Sequence, residues 1–285
     1  MSPPVREALA HGTARLRAAG ISSARLDARV LLAKAMDVCP DRIFAESGLC
    51  ADVSQRFSVL LARRAAREPL AYITGTKEFW SLPFAVGPGV LIPRPESETL
   101  VEAALDEFRR DAALNVLDIG TGSGCLLIAF LSERANAAGL GVDLSEEALA
   151  WARHNLRTHG MAARCRLEKA DWEPSGAGTF DIVFVNPPYL AAAEFALSDP
   201  EIHGWEPHPA LVAGEDGLEA IRALPPVLRR RLSESGRAFI EVGHRQAAAA
   251  SEILARSGLD VQRVIPDLSA VPRCLVIGQA GSGGG

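Results

Sequence analysis

From Val5 to about Arg67 the apolar positions recur at helical spacing. Val5, Leu9 and Leu16 share a face, and Gly20 stands where a left-handed C-terminal cap belongs. Ser22 or Ser23 suits the start of a second helix carrying Leu26, Val30 and Leu31. Asp52 or Ser54 suits the start of a third, with Phe57, Leu60, Leu61 and Ala65. No alternating stretch interrupts them, so residues 1–75 read as a small all-α domain.

The texture changes after Pro69. Residues 76–95 are rich in aromatic and β-branched types, with Leu82-Pro83 between two short runs, which predicts a β-hairpin linker. Ile92-Pro93-Arg94-Pro95-Glu96 closes it, because two prolines resist both helix and sheet, and Ser97 is placed to cap a helix from Glu98 to about Phe108. Beyond Asn115 short apolar runs at 115–119, 139–143, 164–169, 180–185, 236–242, 261–265 and 273–277 alternate with helical stretches near 124–134, 145–159, 216–232 and 245–257. Such alternation predicts an α/β domain over residues 96–279, with a mostly parallel sheet covered on both faces. Pro225-Pro226 should kink or split one helix. Residues 280–285 end in Gly-Ser-Gly-Gly-Gly, read as a flexible tail.

Composition narrows the class. With 285 residues, 48% of them hydrophobic and 23% charged, the chain has the apolar mass of a globular protein rather than a disordered or fibrous one. The longest apolar run, Cys125 to Leu131, is too short for a bilayer, and no targeting segment opens the chain. Five scattered cysteines without a CxxC pair read as reduced thiols, so the expected setting is the cytoplasm. The net charge of −5 argues against direct nucleic-acid binding by charge alone. It is uneven: residues 1–75 carry +4 and residues 76–285 carry −9, a difference that solvated helix faces suffice to explain.

Candidate chemistry starts at Gly120-Thr121-Gly122-Ser123-Gly124, a glycine-rich turn between a strand and a helix. Glycines admit positive φ and close approach of a ligand to backbone, and the helix N-terminus adds N–H donors. The following strand ends in Asp143, 19 residues after Gly124, where an acid accepts hydrogen bonds from ribose hydroxyls. A dinucleotide fingerprint would need glycine where Cys125 stands, and no P-loop lysine follows. Asp118-x-Gly-x-Gly-x-Gly resembles instead motif I of class I S-adenosylmethionine-dependent methyltransferases. In that family Trp172, after the third strand, would stand against the adenine, offering it a flat apolar face.

Asn186-Pro187-Pro188-Tyr189 follows directly on the strand 180–185, at the carboxyl edge of the sheet. A planar amide or aromatic amine is a poor nucleophile because its lone pair is delocalised. Two acceptors in its plane, the Asn186 side-chain oxygen and the Pro187 carbonyl, would grip both N–H bonds, and Tyr189 would cover the flat face. Positive charge growing on the nitrogen strengthens both bonds, which favours the transition state without metal, nucleophile or strong base.

With Arg67-Glu68-Pro69-Leu70-Ala71-Tyr72-Ile73-Thr74-Gly75, Glu78-Phe79-Trp80, Leu91 to Glu96, Glu206-Pro207 and Gly214 to Gly217, the chain resembles the HemK/PrmC glutamine methyltransferases of peptide chain release factors. The resemblance covers nearly the whole length. It implies a Rossmann-like, seven-stranded class I methyltransferase domain preceded by a helical substrate-binding domain and a β-hairpin linker. It implies S-adenosylmethionine as cofactor, held by Gly120 to Gly124, Asp143, Trp172 and Asn186. The substrate implied is the glutamine of a Gly-Gly-Gln loop, met by Asn186, Pro187, Pro188 and Tyr189, with Asn186, Pro187 and Tyr189 catalytic. A monomer meeting a release factor is expected. The chain departs from the family pattern at His203-Gly204-Trp205 and at Ser269 to Arg273, where a Gly-Arg-Asp turn is usual.

Two rival functions share some of these residues. An adenine exocyclic-amine methyltransferase of DNA or RNA uses a similar grip but calls for a target-recognition region and a basic groove. A non-catalytic scaffold would have no use for an intact loop, Asp143 and Asn186. Arg94 and Glu96 suit either a docking pair or an exposed turn. His203 and His208, with Glu201 and Glu206, match no metal-ligand spacing, so no metal is expected.

Overall fold

In the computed structural model residues 3–45 and 49–280 are described, and the Gly281 to Gly285 run read as a flexible tail lies outside them. The chain divides into two compact units, one running to Thr76 and including Asp199–Trp205, the other taking Lys77–Ser198 and everything from Glu206.

The first unit contains α1 (Pro3–Ala18), α2 (Ala24–Met36), α3 (Ala51–Ala65) and the short α4 (Leu70–Thr74). Leu16, Leu31, Leu32, Phe57, Leu61 and Ile73 form its core. A Cβ on Gly12 would sit 2.8 Å from the Phe57 ring, so α1 and α3 pack backbone to ring. Gly20 takes φ +76° at the end of α1, as its position predicts. Ser23 stands at the N-cap of α2 without a side-chain cap bond, and α3 opens one residue before Asp52, with Cys50 at its N-cap. The five-residue α4 lies outside the predicted helices, because one turn shows no periodicity.

The second unit opens with a hairpin of β1 (Thr76–Phe79) and β2 (Leu82–Ala85). Its turn is Trp80-Ser81, both with positive φ, rather than Leu82-Pro83, which lie within β2. A two-residue hairpin turn demands left-handed conformations that usually call for Asn or Gly, hence the displaced expectation. Trp80 is held there by its N–H to Glu98 Oε1 at 2.8 Å and its indole N–H to Glu133 Oε1 at 3.2 Å.

A 3-10 turn at Pro95–Ser97 leads into α5 (Glu98–Glu107). Ser97 does not cap it; its side chain makes no cap bond. Then follow β3 (Asn115–Ile119), α6 (Cys125–Glu133), β4 (Ala138–Asp143), α7 (Glu146–Thr158), β5 (Cys165–Lys169) and β6 (Phe180–Val185). Two short helices, α8 (Ala192–Ala196) and α9 (Pro200–His203), precede α10 (Glu219–Arg231), β7 (Leu232–Glu241), α11 (Ala247–Arg256), β8 (Leu259–Pro266) and β9 (Pro272–Gln279). The prolines do not split α10, which runs unbroken through Pro225 and Pro226; its buried face (Ile221, Leu224, Val227, Leu228) compensates the lost backbone bonds.

The seven strands run in the order β5-β4-β3-β6-β7-β9-β8. β9 is antiparallel to both neighbours and the other pairings are parallel. Alternate residues serve opposite faces: Val116, Ile182 and Phe239 pack with α5 and α6, while Leu117, Val183 and Ile240 pack with α10 and α11. The fold is the α/β arrangement expected from the alternation, a mostly parallel sheet covered on both faces, and its seven strands agree with what the resemblance implies.

Candidate active site

Strand register places the site. Ile119 pairs with Val142 and with Val185, and Val185 pairs with Ile240. The next residue on each strand is therefore Asp143 on β4, Gly120 after β3, Asn186 after β6 and Glu241 on β7. Four strands thus deliver a row of polar groups and one glycine turn to the carboxyl edge of the sheet, where open α/β sheets bind ligands. A cavity of about 670 Å³ opens over this edge.

The glycine turn is built on left-handed backbone. Gly120, Gly122 and Gly124 have φ of +70°, +55° and +80°. A Cβ on Gly120 or Gly122 would meet no other atom nearer than 3.9 Å, so the space above the turn is open and a side chain would fill it. Gly124 differs: its Cβ would press on Ile128 and Ala152, and it does not line the cavity. The turn is tied from below. The Thr121 hydroxyl donates to Asp118 Oδ2 at 2.6 Å, and the Gly122 N–H donates to Asp143 Oδ2 at 2.9 Å. Asp143 Oδ1 also accepts the Ser145 N–H at 2.9 Å. Burial raises the Asp143 carboxyl above its ordinary range, against the pull of these N–H groups. Asp118 is fully buried, its Oδ1 lacks a hydrogen-bond partner, and burial, opposed by Thr121, pushes its pKa up to about 7. Asp118 is absent from the predicted site residues, although it opens the motif that carries the resemblance.

Asn186 donates from Nδ2 to Ser97 Oγ at 3.0 Å, and Ser97 Oγ donates to Glu241 Oε2 at 2.5 Å. Among the described residues nothing donates to Asn186 Oδ1 or to the Pro187 carbonyl. Asn186, Pro187 and Pro188 line the cavity, as do Thr121, Ser123, Asp143 and Trp172. Tyr189 does not. Its N–H bonds Leu211 O, its carbonyl accepts from Gln246 Nε2, and burial pushes its phenol up to about 12, so it stays neutral behind the prolines. Ser97 and Glu241 went unpredicted. The available signal was an acid at the carboxyl end of the otherwise apolar run Ala238 to Val242.

Arg94 and Glu96 do not pair. Arg94 Nη2 lies 2.5 Å from Glu206 Oε1, and Glu206 Oε2 accepts the Ile92 N–H at 3.1 Å, which fixes the proline segment over the cavity. Glu96 is exposed. Glu201 is bound by Arg64 and Arg67 within the first unit, while the His208 ring stacks edge-on to Phe195.

The residues fit an S-adenosylmethionine site. Open space over two glycines admits a ligand against backbone, acids line the walls (Asp143, Glu146, Glu147, Asp171) and suit a cation, and Trp172 presents an aromatic face.

Comparison with known proteins places the chain. Residues 7–75 match the PrmC N-terminal domain and residues 110–237 a methyltransferase domain. The release factor glutamine methyltransferase of Cereibacter sphaeroides is 42% identical over 269 residues, covering 94% of this chain and 95% of that protein. That of Bradyrhizobium diazoefficiens is 40% identical, covering 92% and 90%. A methyltransferase structure from Pyrococcus furiosus shares the fold at 19% identity with a TM-score of 0.51, covering 79% of this chain and 98% of that one. The ribosomal protein L11 methylase of Lactobacillus delbrueckii subsp. bulgaricus does so at 21% identity and 0.50, covering 68% and 83%. Sequence similarity across nearly the full length, together with the two domain matches, makes this chain a member of the release factor glutamine methyltransferase family.

Proposed function

We propose that the protein transfers the methyl group of S-adenosylmethionine to the side-chain amide nitrogen of the glutamine in the Gly-Gly-Gln motif of peptide chain release factors. The observation that carries this reading is the state of Asn186. Its amide nitrogen is engaged by Ser97, which leaves Oδ1, beside the unengaged Pro187 carbonyl, free for a substrate N–H at the cavity.

S-adenosylmethionine, when bound, supplies an electrophilic methyl on a sulfonium. Gly120, Thr121, Gly122 and Ser123 would meet its methionine part, Asp143 its ribose and Trp172 its adenine. Gly124 would serve the turn through backbone geometry. Asn186 Oδ1 and the Pro187 carbonyl accept the two N–H bonds of the glutamine amide and orient its nitrogen, which pyramidalises as its lone pair turns toward the methyl. Both bonds strengthen as the nitrogen becomes positive, so they stabilise the transition state more than the bound ground state. The proline pair fixes the second acceptor, because neither residue has an N–H and both have restricted φ. Pro188 would form the wall against which the amide lies, with the neutral Tyr189 supporting the prolines from behind rather than meeting the amide itself. Once methylated the nitrogen is strongly acidic and gives up one proton to water, so no strong base is required. Residues 1–75, at +4, would contact the release factor, and the protein would act as a cytoplasmic monomer without touching nucleic acid.

Single-turnover methylation of a release factor at saturating S-adenosylmethionine tests the reading. Asn186→Ala should lose on the order of 10²–10³-fold in rate, the scale for removing one preorganised polar group at a reacting centre. Asn186→Asp, which keeps an acceptor, should fall between Ala and wild type. An Ala variant as fast as wild type would refute the grip, and a wild-type enzyme inert toward release factors would refute the substrate.

A further inference from the structure

Behind Asn186 the Ser97 contact continues into a buried polar chain whose far end, Glu241, the mechanism above leaves without a task. Glu241 is 1% exposed, as is Ser97, and the chain Glu241–Ser97–Asn186 crosses from the end of β7 through the turn before α5 to the cavity. A hydroxyl carries a single proton, which gives this chain a direction. A carboxylate only accepts, so with Glu241 ionised the Ser97 proton points to it and Ser97 Oγ is left to accept. The amide group facing Ser97 must then be the Nδ2 amine, and Oδ1 must face the cavity. A protonated Glu241 lifts the constraint. Its O–H donates to Ser97, Ser97 donates to Oδ1, and the turned amide presents its amine to the cavity. A substrate N–H would then meet a donor.

We propose that Glu241 and Ser97 are positioning residues that set, through the direction of this hydrogen-bond chain, which end of the Asn186 amide faces the substrate. The proposal rests on the reading of Asn186 as the acceptor for a glutamine amide. It explains why a serine at the start of α5 makes no cap bond and why an acid ends a strand whose neighbouring residues are apolar and fully buried.

The groups around Glu241 place its ionisation where it matters. Burial raises its pKa and Glu96 adds to the rise, while Ser97, Arg273 and Arg94 oppose it, giving about 7. The thiols of Cys274 on β9 and Cys125 on α6 and the phenol of Tyr189 are all raised, with Glu241 contributing, and stay neutral through this range. The chain therefore runs in its productive direction above neutrality and loses that direction below it.

Two measurements test this together, each from pH 5.5 to 8.5. One is the single-turnover rate with a release factor at saturating S-adenosylmethionine. The other is the side-chain amide NMR signal of Asn186 in the cofactor-free protein, assigned by its disappearance in Asn186→Asp. In wild type both should change with an inflection near 7, the rate rising with pH. Ser97→Ala should lower the rate at pH 8 about tenfold, the equivalent of one hydrogen bond, and flatten both profiles. Glu241→Gln should flatten them as well, and Ser97→Thr, which restores a hydroxyl, should recover the wild-type inflection. The KM for S-adenosylmethionine should stay within about twofold throughout, since the chain acts on orientation rather than on cofactor binding. An Asn186 signal that ignores pH in wild type, or a Ser97→Ala enzyme with the wild-type rate and profile, overturns the proposal. The NMR arm needs no methyl transfer, so a titrating amide in an enzyme inert toward release factors would fault the substrate reading and leave the positioning chain standing.

Discussion

Asp118 faces the α6 side of the sheet, in a layer otherwise made of Val116, Ile182 and Phe184. Its carboxyl holds Thr121 and so the glycine turn, at the expense of a buried acid whose pKa is pushed up to about 7. In the cofactor-free protein the native state thus holds a proton there that the unfolded chain releases near pH 4. Stability should fall as pH rises from about 4 to about 7 and level off above, because the native state binds more protons in that window. Asp118→Asn should remove the Asp118 share of this slope, leaving that of the likewise raised Asp143 and Glu241, so that wild type loses stability relative to the variant across the window; urea unfolding of both proteins at a series of pH values checks it. Parallel curves would mean Asp118 titrates normally. At this scale the site is legible where chemistry coincides with a strand tip. Asp143 and Asn186 each follow an apolar run, so their position announces them. Ser97 reads as a helix cap because serine before a helix usually is one, and its partner Glu241 lies 144 residues away. Sequence spacing carries no trace of such a pairing.

Among the elements, the glycine turn depends most on its neighbours. Asp143 accepts N–H groups from Gly122 and from Ser145, so it braces the turn to the start of α7 as well as facing the cavity. Asp143→Ala should therefore weaken S-adenosylmethionine binding by about 1–3 kcal/mol and also lower folding stability by about 1–2 kcal/mol, the scale for stranding donors of a charged acceptor. Calorimetric titration and urea unfolding measure the two separately. Intact affinity would remove Asp143 from the ribose site. Asn155 makes a similar brace: fully buried on α7, it bonds both backbone groups of Ala85 in the hairpin strand and the carbonyl of Ser123 in the turn. The strands after Asn115 are legible as elements because their apolar runs are bounded by turns and separated by amphipathic helices. The hairpin turn at Trp80-Ser81 is not, since neither residue favours positive φ and it is tertiary contacts, the bonds to Glu98 and Glu133 and packing against the core, that hold Trp80 there. The unbroken α10 is likewise a tertiary outcome, its apolar face outweighing two prolines.

The chain as a whole is less linear than its domains suggest. Residues Asp199–Trp205 come from the middle of the methyltransferase half yet belong to the compact unit of the N-terminal helices. Glu201 explains the attachment: it pairs with Arg64 at 2.8 Å and Arg67 at 2.6 Å, and Arg64 also binds the buried Asp27. Glu201→Ala should destabilise the first unit by about 2–4 kcal/mol, because Arg64 is buried and would keep a single carboxylate partner. The unfolding midpoint of that unit, followed by hydrogen exchange, would show it; an unchanged midpoint would mean the pairs are idle. The charge division of +4 against −9 separates a basic helical part from an acidic methyltransferase part, and an acidic catalytic part is poorly suited to grip a polynucleotide. That gives the decisive measurement. The wild-type protein is incubated with methyl-labelled S-adenosylmethionine and with equal amounts of a release factor and adenine-containing nucleic acid, and the label is mapped by mass spectrometry. A single methyl on the glutamine amide of the Gly-Gly-Gln motif is the expected result, and label confined to the nucleic acid, or to another residue of the release factor, would contradict it.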